Sequence, residues 1–140
     1  MDRYLLDTTV FGEYARRQGN PRVRAWINSL LPLQRWLCPI TLGEFWVGAL
    51  GFPDNVVRHR ERRVVIQARK WEWRDIDENV AKVWAAAKLS LPPGVTIESN
   101  DLWLAAVALR FGLVVATRNV RHFRPVEALS VFNPFRMPDQ

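Results

Sequence analysis

The chain has 140 residues and a mass of 16.3 kDa, with 49% hydrophobic and 24% charged residues; that length and balance fit one globular domain, residues 1–140, and exclude wholesale disorder, a collagen-like repeat or a disulfide scaffold. Cys38 is the single cysteine, so neither an intrachain disulfide nor a cysteine zinc cluster can form, which suits a reducing cytosol. The net charge is +6 with a pI near 10.4, and only Lys70, Lys82 and Lys88 of the 20 basic residues are lysines; arginine's planar fork matches phosphate oxygens, so this balance points to a polyanion or an acidic partner, or to no more than a solvated surface.

In chain order, Tyr4-Leu5-Leu6 is a short apolar run ended by Asp7-Thr8-Thr9, which predicts a buried strand and a polar turn. The N-terminus lacks the long apolar run of a secretory signal. Phe11 to Arg17 has helical character and is broken by Gly19-Asn20-Pro21. Val23, Trp26, Ile27, Leu30 and Leu31 recur at helical spacing. Leu37 to Ile40 is a second strand candidate, and Thr41-Leu42-Gly43-Glu44 opens a helix to about Leu50. Asn55 to Lys70 reads as a third helix with a basic face, and Trp73 to Ile76 as a short strand. Asp77 then caps a helix through Leu89, and Pro92-Pro93-Gly94 is a firm break. Ser99 or Asn100 is placed to cap a helix from Asp101 to about Phe111, with Gly112 as its C-cap. That helix is apolar nearly all round, which predicts burial on several sides. Leu113 to Ala116 is a buried strand, left by Thr117-Arg118-Asn119, and Leu129 to Phe132 a last one, ended by Asn133-Pro134. The longest nearly apolar stretch, Leu102 to Ala116, is too short and too broken by Arg110 and Gly112 to span a bilayer, so no membrane association is expected. Short apolar strands alternating with helices imply an α/β fold with a parallel sheet covered on both faces.

Ligands of open α/β sheets bind beyond the carboxyl ends of the strands. Asp7 stands where the first strand ends, Glu44 just after the second, and Asp101 at the start of the buried helix. Three carboxylates converging on one sheet edge repel one another, and a hard divalent cation such as Mg²⁺ resolves that repulsion. It also activates a water for hydrolysis. Each residue has a duller role open to it. Asp7 can bond turn amides, Thr41-x-x-Glu44 matches a capping box, and Asp101 suits a positive helix N-terminus. Their joint placement is what favours chemistry.

At this point the sequence resembles the PIN-domain ribonucleases, in particular the VapC toxins of prokaryotic toxin–antitoxin pairs. The matching stretches are Tyr4-Leu5-Leu6-Asp7-Thr8-Thr9-Val10-Phe11, Ile40-Thr41-Leu42-Gly43-Glu44, Asn100 to Leu109, Val114-Val115-Ala116-Thr117-Arg118-Asn119-Val120-Arg121-His122-Phe123 and Leu129 to Pro134. They stand in family order over the whole chain. The resemblance implies a three-layer α/β/α, Rossmann-like domain and Mg²⁺- or Mn²⁺-dependent endonuclease cleavage of RNA. By matching position it implies that Asp7, Glu44 and Asp101 carry the acidic site, that Thr8 and Thr117 orient a carboxylate or a bound water, and that Asn119 lines the site edge. His122 stands where the family often has a further acid, which implies one well-occupied Mg²⁺ at Asp7 and Asp101, with Glu44 assisting and the histidine not a ligand. Glu98 is a nearby carboxylate whose position does not match. A homodimer, a VapB-like antitoxin reaching the acidic site and a cytoplasmic setting are also implied. A non-catalytic PIN-like module that binds RNA or protein, and a DNA-directed metal-dependent nuclease, stay open as alternatives.

Arg118, Arg121, Arg58 and Arg62 are the candidate RNA contacts, the last two within a basic stretch that also holds Arg60, Arg63, Arg69 and Lys70. Such a run serves phosphate binding or merely a solvated helix face. The seven tryptophans suit base stacking or core packing, with Trp103 assigned to the core. Cys38 reads as a small core residue, and His59 has no metal-site spacing.

Overall fold

The computed structural model describes residues 1–51, 62–66, 68 and 70–136. Five short strands form one parallel sheet: β1 (Tyr4–Leu6), β2 (Arg35–Leu37), β3 (Glu72–Trp73), β4 (Val114–Ala116) and β5 (Val131–Phe132). Their spatial order is β3-β2-β1-β4-β5, with Leu5 paired to both Trp36 and Val115. Helices α1 (Thr8–Ala15), α2 (Pro21–Ser29), α3 (Pro39–Gly51), α4 (Glu78–Leu89), α5 (Ser99–Phe111) and α6 (Val120–Phe123) connect the strands. A strand directs successive side chains to opposite faces, and here that alternation separates two cores. Leu5, Trp36 and Val115 pack with α4 and α5 on one face. Leu6, Leu37 and Ala116 pack with α1, α2 and α3 on the other. The three-layer α/β/α arrangement follows. All seven tryptophans pack in or against these two clusters, Trp103 half-buried and stacked on Trp84 with ring centroids 4.7 Å apart. Cys38 is fully buried, which pushes its thiol up to about 11 and leaves it an inert core group.

Several boundaries differ from expectation, each for a local reason. The first helix starts at Thr8, because Asp7 is itself its N-cap and accepts from the Thr9 N–H. The second strand ends at Leu37, and Pro39 opens α3 instead of extending the strand. Proline lacks the N–H that a helix's first turn leaves unpaired, and its φ is already helical. The third strand is Glu72–Trp73. The buried helix begins at Ser99, since the Glu98 carbonyl already accepts from Leu102, and neither Ser99 nor Asn100 serves as its cap. Asp77 caps α4 by accepting from Val80, and Gly112 takes the left-handed conformation (φ 65°) that ends α5. Residues 62–66 and 68 are helical, while Arg58, Arg60 and Arg69, half of the basic residues of that stretch, lie outside the described residues, as does His59. Among the described residues no helix is long and apolar enough to cross a membrane.

Candidate active site

The strand order reverses direction between β1 and β4: the chain passes outward through β2 and β3 on one side and through β4 and β5 on the other. Such a switch point opens a crevice at the carboxyl ends of the two central strands. Asp7 follows β1 and Thr117 follows β4, so both stand at its mouth. Asp7 is only 7% exposed and Thr117 fully buried.

The Asp7 carboxylate is held at both oxygens. Oδ1 accepts from the Thr9 backbone N–H and the Thr9 hydroxyl, each at 2.5 Å. Oδ2 accepts from the Thr117 hydroxyl at 2.5 Å. Those hydroxyls are anchored in turn, Thr9 Oγ1 accepting from the Arg118 N–H and Thr117 Oγ1 from the Asn119 N–H, both at 3.0 Å. The turn role and the site role of Asp7 therefore coincide: one oxygen caps α1 while the carboxylate faces the cleft.

Glu44 reaches the cleft from α3. The Thr41 hydroxyl donates across to the Leu6 carbonyl at 3.0 Å, tying the start of α3 to the end of β1. That bond replaces the expected capping box, because with Pro39 at the first helical position Thr41 already lies inside the helix. Glu44 Oε2 accepts from the Thr8 hydroxyl at 2.8 Å. Asp101 projects from the first turn of α5, with its Oδ2 3.4 Å from His122 Nδ1.

Glu98, Asn100, Asn119 and His122 line the same cleft as Asp7, Glu44 and Asp101. Burial is the largest cause pushing the Glu44 carboxyl up; Thr8 opposes it, and the charges of Asp7, Asp101 and Glu98 add to it. Burial likewise raises Asp101, with Glu98 and Asp7 reinforcing the shift and His122 opposing it. The cleft thus concentrates negative charge that its own hydroxyls and His122 only partly offset. Thr9 and Glu98 are the residues the sequence underrated. Thr9 was hidden behind Thr8 in a doubled threonine, and Glu98 reaches the cleft because α5 begins at Ser99, which makes Glu98 its N-cap residue, three positions before Asp101.

Arg118 places its backbone, not its guanidinium, in this network; its side chain lies over the Phe135 ring, 4.8 Å from the centroid. Arg121 lines a neighbouring groove, and Arg62 lines neither that groove nor the cleft.

The donor set suits a hard cation, being carboxylates and hydroxyls with excess negative charge. Among the described residues no three His, Cys, Asp or Glu groups stand close enough to enclose an ion by themselves.

The PIN domain model matches residues 4–128. The chain belongs to the PIN domain family. Toxin FitB of Neisseria gonorrhoeae is 33% identical to this PIN domain over 136 residues, spanning 94% of the chain and 97% of FitB. Ribonuclease VapC5 of Mycobacterium tuberculosis is 30% identical over 116 residues, 82% of each protein. Among solved structures, a chain of FitAB bound to a DNA fragment superposes with a TM-score of 0.81 at 30% identity, covering 98% of this chain and 99% of that one. The fold expected from the resemblance is the fold observed.

Proposed function

We propose that this PIN domain is a VapC-like endoribonuclease toxin that hydrolyses RNA phosphodiesters with Mg²⁺ or Mn²⁺ held by Asp7 and Asp101, Glu44 assisting. The observation that carries this reading is the nearly buried Asp7 carboxylate, fixed at both oxygens at the sheet's switch point beside two carboxyls, Glu44 and Asp101, pushed up by burial and by the charges of Asp7 and Glu98. Relatives named as toxins and ribonucleases support it. A bound divalent ion supplies an activated water and neutralises charge building on the phosphate. The chain's own residues set the stage. Thr9 and Thr117 lock the plane of Asp7, Thr8 steers Glu44, and His122 keeps a nitrogen beside Asp101 as a second cleft wall. His122 is not a metal ligand in this reading, since Mg²⁺ prefers oxygen.

The partner in the same reading is a small VapB-like antitoxin that brings a basic side chain to the acidic cleft, arginine being suited by its bidentate pairing with carboxylates. A homodimer and a cytosolic setting complete it. The relatives whose complexes have been solved include FitAB and VapBC pairs.

The test compares cleavage of RNA and DNA by the purified protein with Mg²⁺, Mn²⁺ or EDTA, alongside Asp7→Asn. RNA cleavage that needs the divalent ion and is nearly abolished in a folded Asp7→Asn variant is the expected result. Full activity of that variant overturns the site assignment. DNA cleavage without RNA cleavage favours a DNA-directed nuclease, and no cleavage of either favours a binding module. A neighbouring small protein that neither binds nor relieves growth arrest on co-expression removes the toxin reading alone.

A further inference from the structure

Next to the acidic cleft, and sharing Asn119 and His122 with it, runs a groove of about 980 Å³. Its charged walls are Arg118, Arg121, Arg124 and Arg136, all exposed. Among the described residues none of the four closes a salt bridge. The groove is built rather than incidental. Asn133 Nδ2 donates to the Arg118 carbonyl at 3.5 Å while its Oδ1 accepts from the Phe135 N–H at 2.9 Å, so one side chain joins the exit of β4 to the C-terminal turn Pro134–Arg136. Arg118 lies over Phe135, and its peptide N–H is bonded to the Thr9 hydroxyl that holds Asp7. The groove's position is thereby fixed relative to the carboxylates.

Resting on the ribonuclease reading, we propose that this groove is the track for single-stranded RNA on one side of the scissile phosphate. Arg121, Arg124 and Arg136 take successive backbone phosphates, and the Arg118 guanidinium, held flat on Phe135, offers a face for a base. A phosphodiester at Asp7 lies in a deep cleft, and the strand must leave it along a surface of opposite charge. Here the arginines begin where the carboxylates end. Guanidinium forks bind phosphate oxygens bidentately, and planar groups accept any base by stacking. A flexible single strand can bend into the cleft, whereas a stiff duplex cannot bring a backbone phosphate to a carboxylate that is 7% exposed.

The experiment measures fluorescence anisotropy of a fluorescein-labelled single-stranded RNA of about a dozen nucleotides, in EDTA, across a series of NaCl concentrations. It uses the full chain, Asp7→Asn and the double variant Arg124→Gln, Arg136→Gln. Two lost phosphate contacts on a single strand should flatten the slope of log K against log salt by about 1.4 and weaken binding at low salt, with the melting temperature nearly unchanged. Asp7→Asn should keep the parent slope. An unaltered slope and affinity in the double variant overturn the proposal. So does equally tight binding of a duplex of the same sequence, or a variant that loses only its affinity for the antitoxin, which would assign the groove to a protein partner. If the parent protein neither binds nor cuts RNA, the ribonuclease reading itself has failed. If it cuts RNA and the arginine substitutions change nothing, only the groove assignment has.

Discussion

Asp7 meets a threonine hydroxyl at each carboxylate oxygen, and those two hydroxyls differ in what replaces them. Thr9 shares its oxygen with a backbone N–H, whereas among the described residues Thr117 is the sole hydrogen-bond partner of Oδ2. Thr117→Val keeps the shape and removes that donor, and it also strips the Asn119 N–H of its acceptor. The expected cost is about 1–3 kcal/mol of stability, the usual penalty for unsatisfied buried polar groups. Cleavage should fall by roughly 10–100-fold, as for other lost supports of a ligating group. Urea melts and a cleavage assay check both, and Thr117→Ser should restore most of each. At this scale Asp7, Glu44 and Asp101 were legible because each follows or opens an apolar segment. Glu98 was not, because a carboxylate one turn upstream of Asp101 looks like any polar loop residue until the helix start is known.

The α1–α2 corner shows how an element boundary is enforced. A Cβ on Gly19 would sit 1.7 Å from the Glu13 carbonyl oxygen, in the backbone itself. Gly19→Ala should therefore destabilise the fold by about 3 kcal/mol or more, read from thermal melts, since the backbone must move to admit the methyl. Glu13 closes the same corner: it is buried, pairs with Arg16 and accepts from the Asn20 N–H at 2.7 Å. Burial works to raise its carboxyl, but the bonds from Arg16 and Asn20 outweigh it, so the folded-state value lies below the ordinary one. A depressed folded value contributes stability in full above the unfolded value of about 4.3 and loses it as pH falls through the lower folded value. Glu13→Gln should accordingly flatten the acid limb of the melting temperature between about pH 5 and 3; an unchanged limb would count against the corner's role. Glycine, asparagine and proline announced this break in the sequence. The β2–α3 junction was harder to read, because Pro39 suits a strand end and a helix start equally and only the Thr41–Leu6 bond shows which it serves.

Over the whole molecule, a chain of net charge +6 gathers carboxylates at one strand edge and arginines beside them. A divalent ion bound only by the folded state should raise stability with concentration, by about 1.4 kcal/mol at ten times its dissociation constant. Calorimetric melts with MgCl₂, matched for ionic strength with NaCl, should show the rise in the parent protein and lose it in Asp7→Asn. No rise in the parent would argue against a site preformed for metal. The parallel sheet was legible from alternating strands and helices, but the order β3-β2-β1-β4-β5 was not, since strand neighbours are set by distant pairing. Arg124 and Arg136 escaped notice for the same reason: they share a groove only once β5 lies beside β4.

The parity of β1 constrains how this protein can change. Leu5 faces one core, Leu6 the other, and Asp7 is the next residue along. Inserting one residue between Tyr4 and Leu5 would exchange the two leucines between faces and displace the carboxylate at the same stroke. The segment can therefore vary in side-chain size but not grow in length, and gain of a single codon there would cost fold and site together.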